Sequence, residues 1–278
     1  MISKLPFLAA TALVCASVMA VVPTRASAEI ASDWGEGHNS RARLVAAKDI
    51  AGVELQMPEG WKTYWRNPGD AGGVPPAFDW SQSQNLAHAD VLYPAPKRYR
   101  DSAGETVGYK GTVVFPVRLQ AKDPSKPIDL RLKLEYGVCE EICIPAQADL
   151  SLVIAPDATA SVPPELKAAL EHVPARADQM SPDDPQLKKV ESVLDGPKPH
   201  LVLDAVFPGG AEHADIFIEA PAGLYVPLPK KTADDGKGNA TFEVDLGDAA
   251  DAQDLKGEQL TATLVSDKGQ SEVTFSVD

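Results

Sequence analysis

The sequence has 278 residues, with 26 Lys+Arg against 40 Asp+Glu, a formal charge of −14 and a mean hydropathy of −0.16. So acidic a chain does not bind nucleic acid through its net field. Three cysteines are too few for a disulfide-dense scaffold, and the five histidines are scattered too singly to complete a four-ligand zinc site with them.

Residues 1–28 carry Lys4 as the only early charge, an apolar stretch from Leu5 to Val22, and Ala26-Ser27-Ala28 ahead of Glu29. This pattern reads as a cleavable secretory signal with an A-x-A site. Its removal takes away Lys4, Arg25 and Cys15 and leaves 250 residues with a formal charge of −16 and two cysteines. Val14 stands where a lipidation site needs a small residue, so Cys15 is expected to leave with the signal. No later apolar run approaches the ~18 residues of a membrane span, and the mature protein is expected to be soluble, without stable membrane insertion.

From Ile30 to Pro156 the pattern is short and β-like, with runs at Ala42–Ala46, Val53–Met57, Val113–Leu119, Leu130–Tyr136 and Leu150–Ile154 bounded by Gly, Pro, Asp and Asn. Leu130, Leu132, Leu134, Tyr136 and Val138 alternate with Arg131, Lys133, Glu135 and Gly137, a period of two with one face in and one out. Ala146, Ala148, Leu150, Leu152 and Ile154 repeat it beyond a short gap, which predicts an antiparallel hairpin. Residues 157–199 are rich in proline. Pro163-Pro164 can open a helix, and Leu166, Ala169, Leu170 and Val173 follow at helical spacing. From His200 onward, runs at Leu201–Val206, Asp215–Ala220, Thr241–Leu246, Gln259–Ser266 and Ser271–Val277 are separated by Gly- and Asp-rich turns. The expectation is an all-β protein: a sandwich domain over 29–156, a Pro-rich connector with a short helix over 157–199, and a second, smaller β-sandwich over 200–278.

Both mature cysteines lie in Tyr136-Gly137-Val138-Cys139-Glu140-Glu141-Ile142-Cys143-Ile144-Pro145. An extended run of four steps spans ~13 Å, whereas a disulfide needs α-carbons ~4.4–6.8 Å apart, so the chain must turn between them. The flanking strands put that turn at the hairpin tip. A ring of about five residues gives only ~2 kcal/mol of loop entropy, a weak structural return that favours a redox role over a staple. Glu140 and Glu141 place negative charge beside the sulfurs, which acts to raise a thiol pKa, and no cation lies within the tip, although Lys110 could arrive in space. A two-thiolate site for a soft ion such as Cu(I) is the rival chemistry, but no histidine or methionine cluster accompanies the pair. Trp61–Asp70 reads as a strand and turn, with Trp61 and Tyr64 or Trp65 in the core, and a lining of the cysteine site is its alternative role. Asp183-Asp184, Asp234-Asp235 and Asp248–Asp254 read as solvated acidic turns.

The Tyr-Gly-x-Cys…Cys-x-Pro hairpin, together with Trp61–Asp70 and Tyr109–Val117, resembles the N-terminal periplasmic domain of the DsbD thiol:disulfide interchange proteins over about residues 35–155; the Cys-x3-Cys spacing is shorter than in the best-known members but acceptable in the ScsB-like branch. The resemblance implies an immunoglobulin-like sandwich in the periplasm, with Cys139 and Cys143 as the redox pair and no cofactor. It implies that Tyr109, in a loop from Asp101 to Lys110, caps the sulfurs, with Tyr136, Pro145, Glu140 and Glu141 modulating the site. The implied partners are a membrane-embedded DsbD/ScsB-like thiol reductant as electron donor and oxidised thioredoxin-fold or disulfide-isomerase-like clients. A non-enzymatic adaptor whose short disulfide only stiffens a hairpin tip is the alternative.

Overall fold

The computed structural model describes residues 30–101, 104–158, 160–247 and 252–278; the expected signal at 1–28 and residues 248–251 of the last acidic turn, with Asp248 and Asp251, lie outside them. The first part of the chain forms β1 (Ile30–Ala31), β2 (Gly35–Gly37), β3 (Ser40–Ala47), β4 (Ile50–Gln56), β5 (Lys62–Tyr64), β6 (Ala77–Asp79), β7 (Leu86–Val91), β8 (Lys97–Asp101), β9 (Gly104–Lys110), β10 (Thr112–Ala121), β11 (Ile128–Cys139) and β12 (Cys143–Ile154). One sheet runs β1-β3-β4-β10-β7, with β2 on β3; the other runs β12-β11-β5-β9-β8, with β6 on β11. Alternation explains the pairing of the two. Leu44, Val53, Leu55, Phe115 and Val117 from the first sheet meet Leu130, Leu132, Leu134, Tyr136 and Val138 from the second in one buried core. The strand pattern predicts this sandwich, and its immunoglobulin-like form is the one the resemblance implies.

Helix α1 (Pro164–Glu171) starts where Pro163 and Pro164 set φ, and it buries Leu166 against Val45 and Val114 on the outer face of the first sheet. Then follow β13 (Ala175–Arg176), β14 (Gln186–Val193), β15 (His200–Val206), β16 (Asp215–Glu219), β17 (Lys230–Asp234), β18 (Asn239–Asp245), β19 (Gln259–Val265) and β20 (Gln270–Ser276). They form two four-stranded sheets, β13-β20-β19-β16 and β14-β15-β18-β17, which enclose Leu201, Leu203, Phe242 and Val244 against Ile216, Ile218, Leu260 and Leu264. Residues 186–193, expected in the connector, are a strand zipped to β15. Lys188-Lys189 and Glu191 mask it in sequence, because only part of each face is covered.

The two sandwiches meet along the segment that follows β5. Trp65 is buried in the first core with its ring 5.7 Å from Phe217 of β16. Arg66 donates to Glu219 at 2.7 and 2.8 Å and also to Glu272, and Asn67 donates to the Ile218 carbonyl at 2.9 Å. Asp70 accepts from the Tyr225 hydroxyl (2.7 Å) and the Leu228 amide (2.9 Å). A second cation, Arg98 of β8, bridges Asp215 and Glu105 and donates to the Pro229 carbonyl.

Strand β5 depends on a glycine. A Cβ added at Gly108 would fall 2.0 Å from the Thr63 carbonyl oxygen, so β9 and β5 approach as closely as they do only because position 108 has no side chain. Gly108→Ala should therefore destabilise the protein by about 1–3 kcal/mol, read as a lowered urea midpoint at unchanged m-value. Wild-type stability would mean that the close approach of β5 to β9 is not needed.

Candidate functional site at the hairpin tip

The β11–β12 ladder runs from Ile128↔Ile154 to Cys139↔Cys143 without a register shift, so the last pair of the ladder is the cysteine pair. The two are bonded, with α-carbons 4.2 Å apart, and Glu140-Glu141-Ile142 form the tip. Alternation sends Tyr136 and Val138 into the core and Gly137 and Cys139 to the opposite face. Cys139 is nevertheless only 1% exposed, whereas Cys143 is exposed and Ile142 is 74% exposed. The disulfide therefore has one sheltered sulfur and one presented sulfur.

The shelter comes from β5 and the chain after it. Lys62 pairs with Cys139 and with Lys110 across the sheet, so Lys62 and Tyr64 share the outer face with Cys139. The Tyr64 hydroxyl lies 2.8 Å from each sulfur. Disulfide sulfurs carry no proton, so the hydroxyl donates to them. Gly73 lies flat on the Tyr64 ring, where an added Cβ would come within 2.3 Å, and the Val74 carbonyl accepts from the Gly137 amide at 3.0 Å. The segment Gly72-Gly73-Val74 thus covers the tyrosine and leaves its hydroxyl end on the sulfurs. The buried ammonium of Lys62 donates to Thr106 at 2.9 Å on this face.

Several expected site residues fall elsewhere. Tyr109 is not a cap. It sits one position out of phase with Gly108 and Lys110, in the core, donating to the Pro94 carbonyl at 2.7 Å and meeting Phe115 edge-on, and burial pushes its pKa well above the ordinary phenol value. The hydroxyl that touches sulfur belongs to Tyr64, in the Trp61–Asp70 segment whose first reading is strand and turn and whose alternative is a lining of the cysteine site. Tyr136 is also turned inward, bonded to Ser40 Oγ at 2.7 Å, and burial raises its pKa. It anchors the hairpin and does not contact the sulfurs. Pro145 pairs with Gly137 and is exposed on the strand face of Cys143. Glu140 and Glu141 are exposed at the tip, with Glu140 against Gly60. Lys110 lies one strand beyond Lys62, its ammonium 4.9 Å from the centre of the Tyr99 ring. Lys62 and Tyr64 were legible only through the parity of β5, and a three-residue strand is too short to show a period.

The site is thus a disulfide at the end of a β-hairpin, half sheltered beneath a tyrosine, on a β-sandwich. Residues 39–155 match the family model described as the N-terminal part of thiol:disulfide interchange protein DsbD, so the first sandwich is similar to that domain. Residues 172–278 match a domain of unknown function (DUF8393). The crystal structure of the N-terminal periplasmic domain of ScsB from Proteus mirabilis superposes with a TM-score of 0.69 at 24% identity, covering 90% of this chain and 99% of that one, so the shared fold spans both sandwiches. Bovine butyrophilin aligns at 11% identity over 84% of this chain and 92% of its own, with a TM-score of only 0.22. No curated protein matches the chain significantly.

Replacing Tyr64 by Phe keeps the ring that Gly73 covers and removes only the donor to sulfur. Reduction of the disulfide by dithiothreitol should then slow about tenfold, the kinetic equivalent of one hydrogen bond of ~1.4 kcal/mol. Stopped-flow rates identical to wild type would show that the hydroxyl plays no part in sulfur exchange.

Proposed function

We propose that the protein is a periplasmic electron carrier in which Cys139 and Cys143 cycle between disulfide and dithiol. The observation that carries this reading is the asymmetry of the pair: a bonded, exposed Cys143 at a protruding tip and a buried Cys139 under the Tyr64 hydroxyl. As a staple, so short a ring contributes little (about 2 kcal/mol of loop entropy), which is poor justification for placing it at an exposed tip.

The chemistry follows from access. A thiolate of the donor attacks the Sγ of Cys143, because Cys143 is the exposed residue of the pair. The S–S bond breaks and Cys139 leaves as a thiolate, into the hydrogen bond of the Tyr64 hydroxyl. The donor's second thiol then displaces Cys143 from the mixed disulfide. The donor ends as a disulfide, and the pair here ends as two thiols holding two electrons and two protons. Reversal on an oxidised client, with Cys143 as the attacking thiolate, returns the disulfide. The donor is a membrane-embedded thiol reductant of the DsbD/ScsB type, and the clients are periplasmic thioredoxin-fold or disulfide-isomerase-like proteins. Ile142 at the tip is 74% exposed and Val74, which packs on Gly137, is 47% exposed, which suits contact with another protein.

Two measurements test the reading. Equilibration in glutathione or dithiothreitol buffers should place the pair within roughly −120 to −270 mV, the range of exchange proteins. A potential well below about −300 mV would return the disulfide to a structural role and the protein to an adaptor. In parallel, Cys139→Ser should accumulate a mixed disulfide through Cys143 with an oxidised client, while Cys143→Ser should trap little. The reverse pattern would overturn the assignment of Cys143.

A further inference from the structure

We propose that the second sandwich is a positioning clamp for the redox site, and that Arg66 is the residue through which it holds the Tyr64 hydroxyl on the two sulfurs. The inference rests on the exchange reading above and assigns a role to the domain of unknown function. It starts from the path of the chain. After Tyr64, the backbone continues along β9: the Trp65 amide donates to the Val107 carbonyl at 3.0 Å, and the Val107 amide donates to the Pro68 carbonyl at 2.8 Å. Between these two bonds Arg66 and Asn67 bulge out of the ladder, toward the second sandwich.

Five of the six residues from Trp65 to Asp70 touch the second sandwich through their side chains or, at Gly69, through the space that a side chain would fill. Trp65 meets Phe217, Arg66 meets Glu219 and Glu272, Asn67 meets the Ile218 carbonyl, Gly69 faces Leu228, and Asp70 meets Tyr225 and Leu228. This gripped stretch has the site at both ends. Tyr64 immediately precedes it, and Gly73-Val74, which lie on the Tyr64 ring and on Gly137, follow it within three residues. Fixing both ends of a short loop fixes where its tyrosine points.

Arg66 is the centre of the grip. Its guanidinium is half-buried, stacks 4.7 Å from the Trp65 ring centre, and reaches carboxylates on two different strands, β16 and β20. Burial works against its charge, yet the hydrogen bonds and charges of Glu219 and Glu272 outweigh it and hold the cation above the ordinary arginine range. A planar fork bound by two carboxylates fixes direction as well as distance. A site is only as exact as the shell supporting it, and here the shell belongs to the other sandwich.

The experiment is a double-mutant cycle in the two-domain protein, read as the rate of disulfide reduction by dithiothreitol. Arg66→Met should slow reduction about tenfold, as Tyr64→Phe does, because both lose the same donor at sulfur. In the Tyr64→Phe background Arg66→Met should slow it no further, since a residue that acts through the hydroxyl has nothing left to position. Arg66→Lys should restore only part of the rate. A wild-type rate for Arg66→Met overturns the clamp, and so does a double mutant whose losses multiply to about a hundredfold. Tyr225→Phe, which removes only a hydroxyl from Asp70, serves if Arg66→Met does not fold. It should cost roughly twofold in wild type and nothing in Tyr64→Phe, and equal losses in both backgrounds would overturn the proposal. A wild-type disulfide inert to dithiothreitol would instead bring down the exchange reading itself, and the clamp with it.

Discussion

The register of the β11–β12 hairpin is the constraint on which the site depends. Its apolar residues alternate over twelve pairs, and a slip of one position would turn Leu130, Leu132, Leu134 and Tyr136 out of the core. Holding those residues in place forces Cys139 opposite Cys143 at the tip and sends Cys139 to the outer face, where the side chains of Lys62 and Tyr64 lie. The core therefore sets the position of the chemistry, although neither sulfur belongs to it. Tyr136 contributes from the inner face by tying the hairpin to Ser40 of β3, across the sandwich.

The same parity gives the two sulfurs different surroundings. Cys139 lies among neighbouring strands, beside Lys62 and beneath Tyr64, while Cys143 begins the outer strand of the sheet, next to an exposed isoleucine. Exchange chemistry uses such a difference. The attacked sulfur needs access, and the leaving sulfur needs stabilisation of developing negative charge. A hydroxyl held within hydrogen-bond distance of both sulfurs can serve the leaving one at either stage. The exposed carboxylates of Glu140 and Glu141 act in the opposite sense on the outer side of the tip.

Long, regular elements were legible in the sequence. Strands β3, β4, β10, β11, β12, β15, β16, β18, β19 and β20 all contain or overlap β-like runs bounded by turn residues, with alternation clearest in β11 and β12, and the paired prolines marked α1. What escaped was short or lay at an edge. β5 has three residues, so no period could show that Tyr64 faces away from Trp65, and the resemblance drew attention to Tyr109 instead. One residue of phase separates these outcomes: Gly108 and Lys110 face outward, and Tyr109 faces in. β17 is exposed along its whole length and β14 along half of its, so neither carries the apolar signature that burial imposes. The proximity of Tyr64 to sulfur arises from β5 pairing with β11 and β9, a non-local arrangement that no window of sequence contains.

The acidic composition acquires a structural meaning at the junction of the sandwiches. Two cations of the first sandwich, Arg66 and Arg98, are each held by carboxylates of the second, Glu219 and Glu272 in one case and Asp215 in the other. Partly buried ion pairs of this kind return little net stability, because desolvation offsets most of the attraction. Trp65 on Phe217 and Leu228 beside Gly69 supply the apolar adhesion. What the arginines add is direction: a guanidinium fork between two carboxylates tolerates little rotation of the chain that carries it. That chain is the bulge after Tyr64. A junction meant only to hold two domains together could place its charges anywhere along the interface, whereas here Arg66 lies two residues from the hydroxyl that meets the disulfide.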